Sequence, residues 1–186
     1  MALRTNVSVV LFFFASFGCA RAPEASAPHA THATHAMHSD RGMHVAPDGD
    51  TEALEAVART HGGAGPWAVA GYRMGVHAIA KLGLPRGSFD LEVRHESPAE
   101  VQFSCVADGA QAATGASMGK LNLTHAVVSR GELKTIYRKK STGETLVLRP
   151  SKSFVARFEN VPRERLGEAG RVVLHLPDTD VFEEVK

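Results

Sequence analysis

The chain is organised around the stretch Ser104-Cys105-Val106-Ala107-Asp108-Gly109-Ala110-Gln111-Ala112-Ala113-Thr114-Gly115. It is followed at once by Ala116-Ser117-Met118-Gly119-Lys120-Leu121-Asn122-Leu123. Polar side chains stand densely among small residues here. Ala, Gly and Ser bury little apolar surface, but they let backbones and polar groups approach one another or a ligand. The stretch therefore predicts a functional site, and the rest of the chain is interpreted as its scaffold.

Composition limits the number of domains and the kinds of partner. The chain has 186 residues, 44% of them hydrophobic, so it is long enough for one real core and too short for two comfortable ones. The formal net charge is +1, and loss of Arg4 with an N-terminal signal would leave 20 acidic residues balanced by as many basic ones. A neutral chain has no bulk charge to attract a nucleic acid, so we expect no nucleic-acid partner.

The first residues have the pattern of an export signal. A single basic residue precedes an apolar run, residues 7–17, that is shorter than the ~20 residues needed to span a bilayer. Ser16-Phe17-Gly18-Cys19 is similar to the lipobox of bacterial lipoproteins, although Leu is usual at the first position. We therefore predict a lipoprotein-type signal peptide over residues 1–18, lipidation of Cys19, and a periplasm-facing location in the bacterial cell envelope. The alternatives are cleavage after Ala22, which the following proline disfavours, and a buried N-terminal helix.

The next segment, residues 19–50, is rich in Ala, Pro, Ser, Thr and His and has no apolar periodicity. Burial of apolar surface therefore cannot offset the entropy of ordering it, and we predict a disordered tether. Its histidines recur at short spacing and could chelate zinc, copper or nickel: His29, His32, His35, His38 and His44. The alternative is a low-complexity spacer whose histidines only gain charge as the pH falls through ~6.5.

Residues 51–186 have the patterning of one folded domain. Asp50 is a suitable N-cap for a helix over Thr51–Thr60. Pro66 is well placed as the first residue of a second helix, which ends near Leu82. A third helix is expected over residues 105–113. Strands are predicted at Phe89–Arg94, Leu123–Val128, Leu133–Arg138, Thr145–Leu148 and Val172–Leu176, with short helices from Pro162 to Ala169 and after Asp178. Strands in sequence beside short helices indicate an α+β fold with an antiparallel or mixed sheet.

Cys105 has no disulfide partner within the monomer if Cys19 is acylated or removed. Four roles stay open for its thiol: an inert buried group, a metal-bound thiolate, an intermolecular disulfide and a nucleophile. No His and Cys pair has the tight spacing of a metal motif, and His61 is the best histidine candidate because Gly62 and Gly63 leave room for a ligand. The chain has no phosphate-binding Gly-rich loop, so no nucleotide cofactor is expected, and no complete catalytic constellation is visible.

Three motifs follow one another in the body of the chain. His61-Gly62-Gly63-Ala64-Gly65-Pro66-Trp67 leads into Gly71-Tyr72-Arg73-Met74-Gly75. The second motif, Cys-x-x-Asp-Gly-x-Gln-x-x-Thr-Gly, begins at Cys105, and the third is Gly119-Lys120-Leu121-Asn122-Leu123. In order and in gaps, the three motifs resemble the FmdE family, which takes its name from formylmethanofuran dehydrogenase. The similarity covers roughly His61 to Pro150.

The resemblance implies an α+β core that forms intertwined homodimers, with a metal site, typically zinc, built from His and Cys residues of the motifs. Gly63 stands where the family has a second His, Ala116 where it has a Cys, and Leu121 where it has a Gly. The ligands that carry over are therefore His61 and Cys105, with Asp108 as an oxygen ligand or as a partner that orients the histidine.

Together these observations predict an FmdE-like accessory protein, held by a lipid anchor on the exported side of the membrane. It is expected to bind zinc, another transition metal or a small ligand at His61, Cys105 and Asp108. The predicted pocket is completed by Tyr72, Arg73, Gln111, Thr114, Lys120 and Asn122. Two alternatives stay open: a thiol-dependent enzyme that uses Cys105 near His61, and a degenerate structural or interaction domain.

Overall fold

The computed structural model of the chain describes residues 48–186. The predicted signal peptide, Cys19 and the tether histidines lie outside the described residues. The α-helices are α1 (Gly49–His61), α2 (Pro66–Lys81), α3 (Val101–Thr114), α4 (Lys152–Phe158), α5 (Leu166–His175) and α6 (Asp178–Val181). The strands are β1 (Leu91–Ser97), β2 (Leu123–Val127), β3 (Lys134–Lys139), β4 (Thr145–Pro150) and β5 (Phe182–Glu184).

Local sequence explains where the first helices begin and end. The Asp48 carboxylate accepts a hydrogen bond from the Thr51 amide at 2.7 Å, so α1 begins two residues earlier than predicted. Pro66 is the first residue of α2, as predicted. Gly62 and Gly115 follow α1 and α3 with φ values of 88° and 70°, in the left-handed region that commonly ends a helix.

The sheet is mixed, with its strands in the order β2-β1-β3-β4-β5. β1 and β2 are parallel, and α3 forms the crossover between them, because parallel neighbours require a long connection. β1 also pairs with β3 in the antiparallel sense, so it separates β2 from β3 although these two strands are consecutive in sequence. β3, β4 and β5 continue the sheet as antiparallel neighbours. The predicted single α+β domain is confirmed.

The two central helices, α2 and α3, cross at backbone contact. A Cβ atom at Gly109 on α3 would lie 1.8 Å from the Ala68 carbonyl oxygen, and a Cβ at Gly71 on α2 would lie 2.1 Å from that of Val106. Real side chains cannot occupy such positions, so one glycine on each helix permits the approach. This contact fixes the first turns of α2 against the middle of α3.

Trp67 anchors the start of α2 in the core, with only 4% of its surface exposed. Its ring meets those of Phe103 and Phe154 edge to face, with centroids 4.9 Å apart in both pairs. The indole Nε1 donates a hydrogen bond to the Phe158 carbonyl oxygen at 3.0 Å. Both ends of the tryptophan are therefore satisfied, the apolar body by packing and the N–H by a backbone acceptor.

The C-terminal part differs from the prediction. The strand predicted at Val172–Leu176 is wrong, because residues 166–175 form α5. Val173 is fully buried, and Gly170 approaches the loop before α2 so closely that a Cβ there would lie 1.9 Å from the Ala64 carbonyl oxygen. Tertiary packing thus overrides the β preference of adjacent valines. The prediction also omitted α4 and β5. No helix described between residues 48 and 186 is long and apolar enough to cross a membrane.

Candidate functional site

His61 is the last residue of α1, and Asp108 lies across from it on α3. The imidazole Nδ1 is 2.8 Å from Oδ2 of Asp108, and the two side chains keep 24% and 45% of their surface exposed. A carboxylate can only accept a hydrogen bond, so Nδ1 carries the shared hydrogen and Nε2 is left for another partner. Carboxylates orient ligand-binding imidazoles in this way.

His61 forms part of the wall of a cavity of about 290 Å³. Its polar neighbours in the wall are Gln102, Cys105 and Arg163. The remaining wall is apolar or small: Gly65, Pro66, Trp67, Ala68, Val101, Phe158, Val161 and Leu166. Ligand pockets measure ~300–1,000 Å³, so this cavity has the size of a site for a small molecule.

Cys105 lies in the same wall, so the structure brings its side chain to the same cavity as His61. The thiol donates a hydrogen bond to the Val101 carbonyl oxygen at 2.8 Å. Burial raises the pKa of the thiol to about 11, and the negative charge of Asp108 adds to the rise. At pH 7 only about one molecule in 10⁴ therefore carries the thiolate, which is the nucleophilic and metal-binding form.

The cavity also receives the beginning of α2, because Gly65, Pro66, Trp67 and Ala68 all line it. Gly65 is the N-cap residue and offers no side chain to accept a hydrogen bond, and the first turn holds no acidic residue. The first amides of a helix have no intrahelical acceptor and carry the positive end of its dipole. Pro66 has no N–H, so the free amides at this wall are those of Trp67 and Ala68.

Asp108 also borders a second, larger depression of about 480 Å³. Its wall includes Gln111, which was predicted to line the site, together with Ser104, Ala107, Met118, Leu123, Thr124 and His125. The imidazole of His125 is hydrogen-bonded, with its Nε2 2.8 Å from the Ser97 hydroxyl. That hydroxyl donates in turn to the Pro98 carbonyl oxygen at 3.0 Å. Gln111 thus faces a different surface from His61.

Tyr72 and Arg73 do not line the His61 cavity. Tyr72 is half-buried on α2 and packs against the hydrophobic core. The Arg73 guanidinium donates to the carbonyl oxygen of Val173 at 2.8 Å and to that of Leu176, and it pairs with Asp178. Its role is to tie α2 to the end of α5.

The other predicted pocket residues organise the loop after α3. Thr114 is buried, and its hydroxyl donates to the Ala110 carbonyl oxygen at 2.7 Å. Lys120 donates from Nζ to the Gly87 and Gly115 carbonyl oxygens at 2.7 and 3.1 Å. Asn122, only 2% exposed, donates to the Leu91 carbonyl oxygen at 2.9 Å and accepts from the Ser117 amide at 3.0 Å. Asn122 thus connects the motif to β1, Lys120 connects it to the loop before β1, and Thr114 bonds within α3. None of the three lines the His61 cavity.

One wall of the cavity was missed by the sequence analysis. Phe158, Val161, Arg163 and Leu166 come from the end of α4 and the segment that leads into α5. Nothing in their local sequence marks them as site residues, because their position depends on contacts such as that between Trp67 and Phe158, which are 91 residues apart.

The residues of one chain do not fit a complete metal centre. Within residues 48–186, no group of three or more His, Cys, Asp or Glu side chains is placed to hold a metal ion. Zinc takes four ligands in structural sites and three protein ligands in catalytic ones. The cavity offers His61 and Cys105, while Asp108 is engaged with Nδ1 of the histidine. A Cβ atom at Gly63 would meet nothing within 4 Å, so the position of the missing second histidine is open space.

The fold and the site define an α+β domain with a His–Asp pair at the wall of a small, largely apolar cavity. Residues 60–183 match the protein family described as "FmdE, Molybdenum formylmethanofuran dehydrogenase operon". The match covers about two thirds of the 186 residues, so the chain belongs to the FmdE family, and the resemblance carried by the three motifs is confirmed. A search of curated proteins gave no match.

Proposed function

We propose that this chain is an FmdE-family accessory protein whose cavity beside His61 binds a small ligand. The observation that carries the proposal is the 2.8 Å hydrogen bond between His61 Nδ1 and Asp108 Oδ2 at the wall of that cavity. Asp108 fixes the imidazole ring and leaves Nε2 as a polar anchor in an otherwise largely apolar wall. Benzene fills a cavity of ~150 Å³, so about 290 Å³ accepts a ligand of roughly a dozen non-hydrogen atoms.

The thiol of Cys105 supports a binding role better than a catalytic one. A nucleophilic cysteine has a lowered pKa and lies beside a cation, whereas burial raises the pKa of this thiol to about 11. The nearest charged group that affects it is the carboxylate of Asp108, which opposes formation of the thiolate. We therefore favour a binding protein over a thiol-dependent enzyme.

The probe 3-phenylpropanamide tests ligand binding. Its ring suits the apolar wall, and its amide can donate a hydrogen bond to Nε2 of His61. We expect a saturable change in the fluorescence of Trp67, the single tryptophan, with a Kd of ~1–10 mM for so small a probe. Replacement His61→Phe should raise this Kd about fivefold through loss of one hydrogen bond. The matched variant His175→Gln, at the exposed end of α5, should leave it unchanged. No saturable change, or equal affinity in His61→Phe, would overturn the proposal.

A metal ion is the second candidate, favoured by one specific observation. An imidazole whose Nδ1 is held by a carboxylate lies in the same cavity wall as a cysteine thiol. Zinc or another transition metal would be held by Nε2 of His61 and Sγ of Cys105, and it would polarise whatever else it bound. Further ligands would have to come from outside the single chain, because Gly63 supplies none.

The open space at Gly63 provides the test of metal binding. The full chain is prepared with its five tether histidines replaced by glutamine, so that zinc bound by the tether does not interfere. Replacement Gly63→His should then raise the affinity for zinc about tenfold or more, because it adds a ligand beside His61 without a steric conflict. Gly119→His, which also enters open space, is the matched control. Equal zinc affinities in the two variants would exclude the metal candidate.

We further propose that the protein is exported, lipid-anchored and homodimeric, and that its tether gathers metal ions near the domain. This rests on the sequence pattern of residues 1–47 and on the family resemblance. Labelled palmitate should be incorporated into the chain in a bacterial host and should be absent from a Cys19→Ser variant. Sedimentation equilibrium of that variant should give twice the monomer mass. Palmitate labelling of Cys19→Ser would contradict the anchor, and a monomer mass would contradict the dimer.

A further inference from the structure

We infer that one end of the domain docks on the surface of an anionic membrane. This end, the loop face, consists of residues 82–90 before β1, residues 115–122 after α3, and residues 139–144 at the turn between β3 and β4. The inference goes beyond ligand binding at His61 and does not depend on it. It is carried by exposed apolar side chains, by a strained backbone position, and by the charges around them.

Hydrogen bonds hold the three segments of the loop face together. Lys120 donates from Nζ to the carbonyl oxygens of Gly87 and Gly115 at 2.7 and 3.1 Å. The Lys140 amide donates to the Asp90 carbonyl oxygen at 2.8 Å. The first segment is therefore bonded to both of the others, and the three form one continuous surface.

Phe89, Met118 and Leu121 expose large apolar side chains on the loop face. They keep 68%, 77% and 89% of their surface exposed. The Lys120 ammonium lies 4.5 Å from the centroid of the Phe89 ring, and the Leu121 amide donates to the Met118 carbonyl oxygen at 2.9 Å. The three apolar side chains are thus neighbours of one lysine. Exposed apolar groups that cluster in this way mark sites where another protein or a membrane associates.

The backbone at Leu121 is strained. Its φ is 54°, and among residues 48–186 it is the only residue other than glycine with a positive φ. A glycine would adopt this conformation without strain, and a leucine does not. Because its side chain is 89% exposed, packing within the chain contributes little that could offset the strain. Contact with a surface outside the chain explains why an apolar side chain is held out at this point.

The charges of the loop face are mainly positive. It has a formal net charge of +2, from Arg86, Lys120, Lys139 and Lys140 against Asp90 and Glu144, whereas the whole chain has +1. Arg86, Lys120 and Lys139 donate hydrogen bonds to backbone carbonyl oxygens. Such acceptors carry no formal charge, so these cations remain available to attract anions from outside the chain.

This combination of charge and apolar surface fits a lipid bilayer better than a second copy of the chain. A symmetric contact between two loop faces would bring like charges together, which opposes association. Anionic lipid headgroups instead attract Lys and Arg side chains, and the acyl boundary beneath them accepts apolar groups. Lys120 suits such a boundary, because its hydrocarbon stem can lie beside apolar groups while its ammonium stays at the level of the headgroups.

Vesicle binding by the full chain with Cys19→Ser tests the inference without a lipid anchor. The vesicles contain equal parts of phosphatidylglycerol and phosphatidylcholine, and the bound fraction is measured by co-sedimentation. Replacement of Phe89 and Leu121 by serine should lower the partition coefficient about tenfold or more, because two inserting apolar groups are lost. The matched control replaces Val76 and Val127, exposed apolar residues outside the loop face, and should change it less than about twofold. Any binding through residues 1–47 is common to all variants.

A second measurement reports contact of the loop face directly. In the Cys19→Ser chain, Leu121→Cys is labelled with the environment-sensitive dye acrylodan at neutral pH, where the buried thiol of Cys105 reacts slowly. Its emission should shift to the blue when the vesicles are added, and the shift should weaken with added salt. The same dye on Val127→Cys should not shift.

Three outcomes would overturn the inference. The first is an equal loss of vesicle binding in the loop-face variant and its control. The second is the absence of a blue shift at position 121. The third is a blue shift without vesicles that grows with protein concentration, since it would identify a second copy of the chain as the partner. None of them bears on the binding of 3-phenylpropanamide beside His61, so failure here and failure of the proposed function are distinguishable.

Discussion

Cys105 illustrates how position decides the chemistry of a residue. The residue is only 9% exposed, its thiol is bonded to the carbonyl oxygen one turn earlier, and the nearby charge of Asp108 is negative. Each of these favours the thiol over the thiolate. Of the four roles that the sequence left open, an inert buried group fits this environment best.

Slow alkylation follows from this environment. The raised pKa, about 11 against an ordinary 9.0, lowers the thiolate fraction at neutral pH about 100-fold. In a Cys19→Ser chain, iodoacetamide should therefore modify the folded protein at least ~100-fold more slowly than the urea-unfolded protein at pH 7.5. The folded rate should still rise above pH 9. A rate that levels off near pH 7 would indicate an activated thiol and would restore the enzyme alternative.

His61 and Asp108 show how far residue-level reasoning reached at the site. Both were selected from the sequence, and the structure joins them at 2.8 Å although they are 47 positions apart. Their pairing was inferred from family motifs, since no local spacing connects α1 with α3. Thr114, Lys120 and Asn122 belong to the same motifs, yet their polar groups are consumed by backbone partners. A motif residue therefore reaches the cavity or the backbone according to the direction of its side chain.

At the scale of the elements, the contact between α2 and α3 leaves no room for an added methyl group at Gly109. Gly109→Ala would gain about 1 kcal/mol of helix propensity but would place Cβ 1.8 Å from the Ala68 carbonyl oxygen. The clash dominates, because two backbones would have to separate. We expect a loss of about 3 kcal/mol or more in the free energy of unfolding, measured by urea denaturation.

A helical glycine without neighbours provides the control for this prediction. A Cβ at Gly167 on α5 would meet nothing within 4 Å. Gly167→Ala should therefore stabilise the protein by about 0.5–1 kcal/mol through propensity alone. If both variants changed stability in the same direction, the close crossing of α2 and α3 would not be the cause.

Elements with strong local signals were predicted well, and those without them were not. Pro66 marks the start of α2, and the αL glycines Gly62 and Gly115 mark two helix ends, because these residues act on their own backbone. The segment that became α5 carries adjacent valines and was predicted as a strand. Its helical state depends on burial of Val173 and on the contact of Gly170 with the loop before α2, which the local sequence does not contain.

At the level of the whole molecule, His95 links stability to pH. It is fully buried on β1, with its imidazole nitrogens 2.9 Å from the Thr135 hydroxyl and 3.1 Å from the Phe103 carbonyl oxygen. Burial lowers its pKa from 6.5 to about 4, against the opposing effect of the hydrogen bond to Phe103. Because the folded pKa lies below the unfolded one, the unfolded chain binds more protons between pH 4 and 6.5.

The free energy of unfolding should therefore fall as the pH is lowered through this window. The contribution of His95 is fully present above pH 6.5 and is lost by about pH 4, with a total of up to about 3 kcal/mol. Urea denaturation at pH 7 and at pH 4.5 measures the change, and His175→Gln, an exposed position, should retain it. NMR titration of the His95 ring provides a second measurement that needs no variant. A ring that titrates near pH 6.5 would contradict the prediction.

The class of fold and the family could be predicted from the sequence, and so could the choice of His61 and Asp108, which the structure joins by a hydrogen bond beside the cavity. This was possible because caps, breakers and motifs act through neighbouring residues or are shared across a family. Long-range packing alone places β1 between β2 and β3 and makes residues 166–175 helical. It also completes the cavity with Phe158, Val161, Arg163 and Leu166. These features depend on contacts between distant segments, and their energies come from packing that no local pattern records.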